Sequence, residues 1–400
     1  MRAFADFIQK NKKKHKNNRL YARMMTNTQS GWHSFDYSTL SKIGYENNVI
    51  VHRAVTLIAR SIAGIPWHLY KGTEQIINHP LLSLLHKPNP NQGGNVFIES
   101  IVSYLLLSGN AYVEAIHPTD GGSIIELHTL RPDRLKIIPG PYGMPERYEY
   151  RVNNTIRTIN IDPVTGNSNL LHLKFFHPLS DWYGLSPLEA ALKSIDSHNT
   201  VSRHNLSLLE NGGRPSGALL VNNKGRQQLT SEQRETLREN LKSMHQGSQN
   251  AGEIMVLEGD FEWKEMGFSP KEMDFSSGKN ISAREISQVF GVPPMLVGIP
   301  GDATFSNYKE ARLHLWEDTI LPLLNRLTNQ FNSWLTPEFD PELKIKYNPD
   351  DIPSIAAKRE LVWDTMKNCH FLTLNEKRAA LGYPPLADGD VLPFKERNHD

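Results

Sequence analysis

The 400-residue chain has a single cysteine, Cys369, and no apolar run long enough to span a membrane. One cysteine excludes an internal disulfide and any zinc site built on paired cysteines, and it fits a reducing compartment. Excess charge of one sign is missing too: 44 Lys and Arg stand against 43 Asp and Glu, a net charge of +1. A protein that coats nucleic acid by gripping phosphates is clearly basic, so any DNA partner here is expected to be handled loosely. Residues 1–21 are rich in Lys and Asn without an apolar stretch of secretory length, so they do not read as a signal peptide. The protein is expected to act where it is made, and its length allows a real core divided over two or three lobes.

Recognisable catalytic and metal-binding spacings are also lacking. His-Glu-x-x-His does not occur, and Ser276-Ser277-Gly278-Lys279-Asn280 lacks the upstream glycine and the following Ser or Thr of a phosphate-binding loop. Gly184-Leu185-Ser186 lacks the second glycine of a nucleophile elbow. His172 and His177 fall in a strand and at its exit, where histidines normally serve structure. Asp350-Asp351 and Asp388-Gly389-Asp390 stand beside proline or glycine and read as turns rather than cation loops. The sequence points away from an enzyme and calls for no cofactor and no metal.

What is present begins with residues 1–45, a stretch without periodicity that carries Lys10, Lys12, Lys13, Lys14 and Lys16. It reads as a mobile basic arm, either a solvated tail or a docking arm for nucleic acid or a neighbouring subunit. Apolar residues at 51, 55, 58, 59 and 62 then recur at helical spacing until Gly64 and Pro66. A short strand at 67–70 follows. Further helices are expected after His79-Pro80, stopped by Pro88-Asn89-Pro90, and after Asn95, broken at Gly109-Asn110. Strand-like segments run at 111–116, 124–130, 135–138, 148–152, 155–159 and 170–175, separated by turn clusters. Helices followed by a run of strands make the fold α+β.

Ser186-Pro187-Leu188-Glu189 opens the next helix, with Ser186 as cap, Pro187 at the first helical position and Glu189 closing a capping box. It is expected to reach Asn211 before Gly212-Gly213 stops it. Lys193, Asp196, His198, Asn199, Ser202, Arg203, His204 and Asn205 leave it a thin apolar stripe that includes Leu208 and Leu209. Such a helix packs against copies of itself or lines water. Residues 215–268 read as a small α/β insert, with strands at 217–221, 253–257 and 261–266 and a helix capped at Thr230. Ser282-Ala283-Arg284-Glu285 opens another helix, closed by Gly291 and Pro293-Pro294. Residues 295–306, punctuated by Gly298, Pro300 and Gly301, are expected to be irregular. Asn307 and Glu310 are placed to cap a long helix with apolar residues at 313, 316, 320, 323, 327, 331 and 334 and a kink at Pro322. A strand at 343–347 and two short helices follow, the second capped by Thr373 and Glu376 and stopped by Gly382.

Seven segments in this order resemble the HK97-type family of phage portal proteins, whose relatives also occur in prophages and gene transfer particles. They are 55–67 (VTLIARSIAGIPW), 79–90 (HPLLSLLHKPNP), 107–113 (LSGNAYV), 127–134 (LHTLRPDR), 184–190 (GLSPLEA), 284–298 (REISQVFGVPPMLVG) and 375–382 (NEKRAALG). The resemblance covers residues 45 to about 390. It implies a portal fold divided as follows: a mobile arm (1–45), an α/β wing (46–185), a first stem helix (186–214), a small α/β clip (215–268) and a second stem helix (269–292). A tunnel loop (293–306), a long spine helix with a wing strand (307–352) and a helical crown with C-terminal tail (353–400) complete it. The short crown departs from the family.

The function implied is a ring of twelve copies at one vertex of a phage-like head, forming a channel for DNA packaging, DNA ejection and head–tail joining. Implied partners are the other copies of the ring, double-stranded DNA, the large terminase subunit, the major capsid protein and a head–tail adaptor, with no membrane. The implied location is the virion, assembled in the cytoplasm of a bacterial host. DNA contacts under this reading fall on Arg203, His204 and Lys279 of the stem helices and on Asp302, Thr304, Ser306 and Asn307 of the loop. Arg203 has an equal alternative as a salt bridge between neighbouring stem helices, and the loop has a lesser alternative as a plain connector. Another multimeric head–tail adaptor and a phage-associated enzyme are the rival readings.

Overall fold

The protein is described from a computed structural model, which covers residues 37–118, 122–140, 144–210, 217–221, 230, 232, 235, 261–265, 275–301, 305–380, 383 and 385–392. Helix α1 (Tyr37–Leu40) widens into a π turn, Ser41–Glu46. The expected arm to residue 45 is therefore already folded from Tyr37: Leu40 is buried and Gly44 lies against Leu188, an anchor too short to register as periodicity. Helix α2 (Val49–Ala63) starts where Asn48 Oδ1 accepts from the amides of Ile50 and Val51 at 3.0 and 3.1 Å. Its expected apolar face, Val51, Val55, Ile58, Ala59 and Ile62, is buried and packs on a later helix, α4, introduced below.

Strands β1 (Trp67–Lys71) and β2 (Glu74–Ile76) form a hairpin. Helix α3 (Pro80–His86) is capped by His79 Nδ1, which accepts from Leu81 N at 3.1 Å. Helix α4 (Gly94–Ser108) ends at Gly109, whose φ of +73° is the left-handed stop. Strands β3 (Asn110–Ile116), β4 (Glu126–Leu130), β5 (Leu135–Pro139), β6 (Pro145–Val152), β7 (Thr155–Asn160) and β8 (Leu170–Lys174) follow. They form two antiparallel sheets, in the orders β4-β3-β8 and β5-β6-β7.

These sheets share one core of Tyr112, Leu130, Leu135, Ile137, Tyr148, Ile159, Leu170 and Trp182. Glu114, buried on β3, takes both arms of Arg157 from β7 at 2.5 Å, a bidentate pair that fixes one sheet to the other. Two of the quoted segments also meet here: Leu127 N donates to Pro88 O at 2.7 Å, and Asn89 Nδ2 donates to Leu127 O at 3.0 Å.

Helices α5 (Pro187–Ala190) and α6 (Leu192–Glu210) come next, then β9 (Gly217–Val221) and β10 (Phe261–Glu265), which pair antiparallel. Helix α7 (Phe275–Val289) precedes a 3-10 turn, Pro294–Val297. Helix α8 (Phe305–His314), a π turn at Leu315–Ile320 and α9 (Leu321–Trp334) form the long helical rod. Strand β11 (Leu343–Tyr347) pairs with the free edge of β1, giving the order β11-β1-β2. Helices α10 (Pro353–Asn368) and α11 (Leu374–Ala380) are the last helices among the described residues.

The architecture is the expected α+β arrangement of helices and small sheets, with local corrections. Ser186 caps as expected, accepting from Leu188 N, but the helix breaks at Ala191 before α6 begins. Ser282 opens nothing: it sits within α7, and its hydroxyl reaches Ser197 on α6. Residues 295–306 are not uniformly irregular, because the 3-10 turn occupies their start and α8 begins at Phe305. Ser306 and Asn307 accordingly lie inside α8, where Asn307 is the third helical residue and cannot cap it.

Pro322 does disturb the rod, though as a π turn just before it. Proline offers no N–H to the carbonyl of Asp318 and its ring crowds that carbonyl, and the wider turn makes the room. Ahead of the π turn the buried residues are Ala311 and Leu315, with Leu313 and Trp316 only half-buried, whereas Ile320, Leu323, Leu327 and Phe331 are buried as expected, joined by Leu324 and Leu335. Helix α10 has 16 residues and is not short. The expected helix after Thr230, the strand at 253–257 and the glycine stops at 212–213 and 382 lie outside the described residues, as do the side chains of Leu208 and Leu209.

Candidate functional site

The long polar helix α6 is the element that ordinary core packing does not explain, and its start is set by contacts between residues far apart in the chain. Asn110, buried at the head of β3, uses its whole side chain. Its Nδ2 donates to Ser108 O at 2.8 Å and Gly184 O at 3.3 Å, and its Oδ1 accepts from Gly184 N at 2.8 Å and from His172 Nε2 at 3.0 Å. Gly109 and Gly184 lie backbone to backbone, and a Cβ on Gly109 would sit 2.5 Å from Gly184 O. Two residues on, Ser186 Oγ donates to the carbonyls of Leu106 and Leu107 at 3.0 and 2.9 Å while it caps α5. The 107–113 and 184–190 segments thus form one junction between α4, β3 and the run into α6.

Because Asn110 Oδ1 can only accept, His172 carries its proton on Nε2. Its ring stacks on Tyr112 at 4.5 Å. Some ring surface remains exposed, but the Nε2 edge is turned toward buried Asn110, and burial holds the imidazole down to about pKa 3, helped by Lys174 nearby. Glu189, on α5, is pushed up to about 7 by burial.

Further along, α6 is docked by a second polar node. The Asn48 side chain that caps α2 also donates from Nδ2 to Asn199 Oδ1 at 2.9 Å and to His198 Nδ1 at 3.2 Å. Asn199 Nδ2 in turn donates to Ile43 O at 3.1 Å. His198 is buried, and its pKa is lowered first by that burial and then by the charge of Lys279, against the opposing bond from Asn199.

Helix α7 runs antiparallel beside α6 through polar rungs above a small apolar seam. Ser194 Oγ donates to Glu285 Oε2 at 2.6 Å, and Ser282 Oγ donates to Ser197 Oγ at 3.2 Å. Ile195, Ala283 and Ile286 fill the seam. Outside it the pair is hydrophilic, with Lys193, Ser197, Thr200, Arg203, His204, Ser277, Arg284, Glu285 and Gln288 exposed. Leu206 and Ile281 break this surface, each 56% exposed.

The expected contact residues divide accordingly. Arg203 is exposed on α6, where its Nη2 donates to Thr200 Oγ1 at 3.1 Å and its charge tempers the burial-driven rise in the pKa of Asp196. His204 is exposed beside it, and Lys279 is half-buried on α7 near His198. Ser306 and Asn307 are exposed on the first turn of α8. Asp302 and Thr304 lie outside the described residues. Arg284, which the sequence did not single out, donates from Nη2 to Pro300 O at 2.8 Å and holds the start of that connection to α7. Among the described residues no three His, Cys, Asp or Glu come together to hold a metal, and no helix is long and apolar enough to cross a membrane.

A polar helix pair held by serine rungs, on an α+β body built around buried junctions, defines a class that comparison identifies. Residues 49–382 match the family model described as phage portal protein, and the chain belongs to that family. It is 42% identical over 357 residues to an uncharacterized protein of Rickettsia bellii (strain RML369-C), covering 87% of this chain and 90% of that one. It is 27% identical over 353 residues to the portal protein of Enterobacteria phage HK97, covering 85% and 80%. Among solved structures it is similar to a chain in the neck of a native gene transfer agent particle computed with twelvefold symmetry. That match has a TM-score of 0.69 and 39% identity, covering 92% of this chain and 99% of that chain. The protein is thus a portal protein of a phage-like head.

Proposed function

We propose that this chain closes with its own copies into a ring of twelve whose axial channel is lined by the polar faces of α6 and α7. The observation that carries this reading is the α6/α7 pair: the apolar residues Ile195, Ala283 and Ile286 are buried, and the outer surface is hydrophilic with charges of both signs, interrupted by exposed Leu206, Ile281 and Val289, which neighbouring copies cover in the ring. The twelvefold neck containing the similar chain supports the number of copies. In this division, residues 46–185 are the wing, α6 and α7 the two stem helices, 215–268 the clip, 293–306 the tunnel loop, 307–352 the spine and 353–400 the crown.

Double-stranded DNA passes through this channel during packaging and ejection. A motor-driven duplex needs a lining that steers without gripping, because each fixed phosphate contact must be broken at every step. Arg203, His204 and Lys279 supply weak, exchangeable contacts on the stem helices, and Asp302, Thr304, Ser306 and Asn307 supply short polar groups near the loop. The terminase and the head–tail adaptor dock on the clip, and the capsid protein surrounds the wing. The ring's role is geometric and electrostatic, without a catalytic step. Arg203→Glu tests the lining: rings form as before, while DNA per head or its retention falls. Heads that fill and hold DNA normally contradict this placement of Arg203.

A further inference from the structure

Strand β7 ends the β5-β6-β7 sheet, with no strand on its other side. Free edges of this kind are normally blunted by proline, a bulge or an outward charge. Residues 155–160 hold no proline, and their register against β6 runs unbroken from Thr155 to Asn160. Arg157, the one charge of the strand, is drawn to the core side by Glu114. The direction of the free backbone groups follows from Asn160. Its carbonyl accepts from Ser168 Oγ at 3.2 Å and so points away from β6, whereas the amide of Ile161 donates back to Glu146 O at 3.3 Å. Alternation along an antiparallel strand then turns the amides and carbonyls of Ile156 and Thr158 outward as well. Both residues are exposed.

The sheet face beside that edge carries unpaired cations. Leu135, Ile137, Tyr148 and Ile159 fill the core, so Lys136, Arg147, Glu149, Arg151, Ile156 and Thr158 stand on the opposite face. There Lys136 lies across from Glu149, and Arg151 across from Ile156. Glu146 and Glu149 both bond to Arg147, at 2.9 and 3.4 Å. Among the described residues Lys136 and Arg151 are left without a carboxylate partner, and both are exposed.

We propose that β7 receives an extended, acid-bearing segment of another protein, which adds to the sheet as a further strand. Outward amides and carbonyls recognise an extended backbone, which a DNA duplex lacks, and unpaired cations select carboxylates. Arg151 lies two strand spacings, about 10 Å, from the added strand, a gap that an arginine and a glutamate side chain span together. Lys136, one strand further, adds to the attraction through its field. This proposal is independent of the ring reading.

The test uses the full chain and a fluorescein-labelled peptide that alternates glutamate with valine, read by fluorescence polarisation and amide hydrogen exchange. Saturable binding is expected, with exchange at Ile156 and Thr158 slowed at least about tenfold. Thr158→Pro removes an outward N–H without touching the bonds to β6, so the far-ultraviolet spectrum stays as in the parent. It weakens binding at least about tenfold, the equivalent of about 1.4 kcal/mol. Arg151→Glu leaves the edge intact and weakens binding as much, while a peptide with lysine for glutamate prefers this variant to the parent. N-methylation of alternate peptide amides abolishes binding to the unaltered chain. Absence of saturable binding, or protection that falls outside residues 155–159, overturns the proposal. Binding that survives Thr158→Pro and yields to competing duplex DNA assigns the cations to phosphate and overturns it. Oligomers of the parent that are lost in Thr158→Pro give the edge to a second copy, and that too overturns it.

Discussion

Thr319 Oγ1 donates a 2.6 Å hydrogen bond to the carbonyl of Gly291, joining the π turn of the long rod to the residue that ends α7. Gly291 has a φ of +66°, and a Cβ there would stand 2.5 Å from Thr319 Oγ1. Thr319 lies in the π turn that precedes Pro322, so the widened part of the rod is the part bonded to the end of α7. With Arg284 holding Pro300 O, the bond closes the base of the connection that leaves α7.

Gly291→Ala combines a strained backbone with a clash and is expected to cost about 1–3 kcal/mol. Thr319→Val removes the donor to the Gly291 carbonyl, which is exposed to water, and costs about 0.5–1.5 kcal/mol. Urea unfolding of both variants and their combination gives a coupling above about 0.5 kcal/mol. Additive losses would show that the two residues do not act through one another.

The π turn also shifts which side chains are buried. Leu315 is buried and Leu313 only half-buried, although straight helical spacing selects Leu313. Leu315→Ala should lose about 2–5 kcal/mol and Leu313→Ala clearly less. The reverse ranking in chemical denaturation would mean that the rod is an uninterrupted α-helix.

Removing Asn110 leaves the amide of Gly184 and Nε2 of His172 without their shared acceptor. Asn110→Ala is expected to destabilise by about 2–4 kcal/mol, more than a typical single hydrogen bond of about 1 kcal/mol. Denaturant titration measures it. A loss below about 1 kcal/mol would show that the junction does not depend on this side chain.

Two groups titrate with opposite consequences. His172 is held near pKa 3 against an ordinary 6.5. The unfolded chain therefore takes up its proton first, and stability declines as pH falls from about 6.5 toward 3, by up to about 1.4 kcal/mol per pH unit. His172→Phe keeps the stacking on Tyr112 and flattens that decline. Glu189, raised from 4.5 to about 7, is favoured in its neutral form by the fold. Its contribution is present at acid pH and is lost as pH rises through about 7. Glu189→Gln should add up to about 3 kcal/mol at pH 8 and nothing at pH 4. Thermal melts of the two variants from pH 4 to 8 give these slopes, and parallel curves for parent and variants would contradict both assignments.

Elements fixed by near neighbours were legible in the sequence. The Thr373–Glu376 capping box forms as read, with Thr373 N donating to Glu376 Oε2 at 2.8 Å and Glu376 N to Thr373 Oγ1 at 3.2 Å. The stop at Gly109, the buried face of α2 and the strand at 343–347 were equally readable, because each depends on local backbone or period. Ser282 followed by Glu285 mimics a cap, yet in α7 that serine bonds across to Ser197, a partner 85 positions away that no local pattern reveals. The π turn escaped because Trp316 fits the three-and-four spacing that Leu315 actually breaks. Arg203 and His204 lie on α6 and Lys279 on α7, two helices that local capping and glycine signals outlined. The nodes that hold those helices were not visible: Asn110 meets Gly184 across 74 positions, and Asn48 meets His198 across 150.

In the proposed ring, copies of this chain surround a hole lined by α6 and α7, an arrangement that cryo-electron microscopy of the purified protein can see. The expected result is a ring of twelvefold symmetry with the polar faces of those two helices toward the axis and Arg203 at the water-filled wall. A chain that stays monomeric or dimeric, or a ring whose hole is bordered by the β4-β3-β8 and β5-β6-β7 sheets while α6 and α7 lie on the outside, would contradict it.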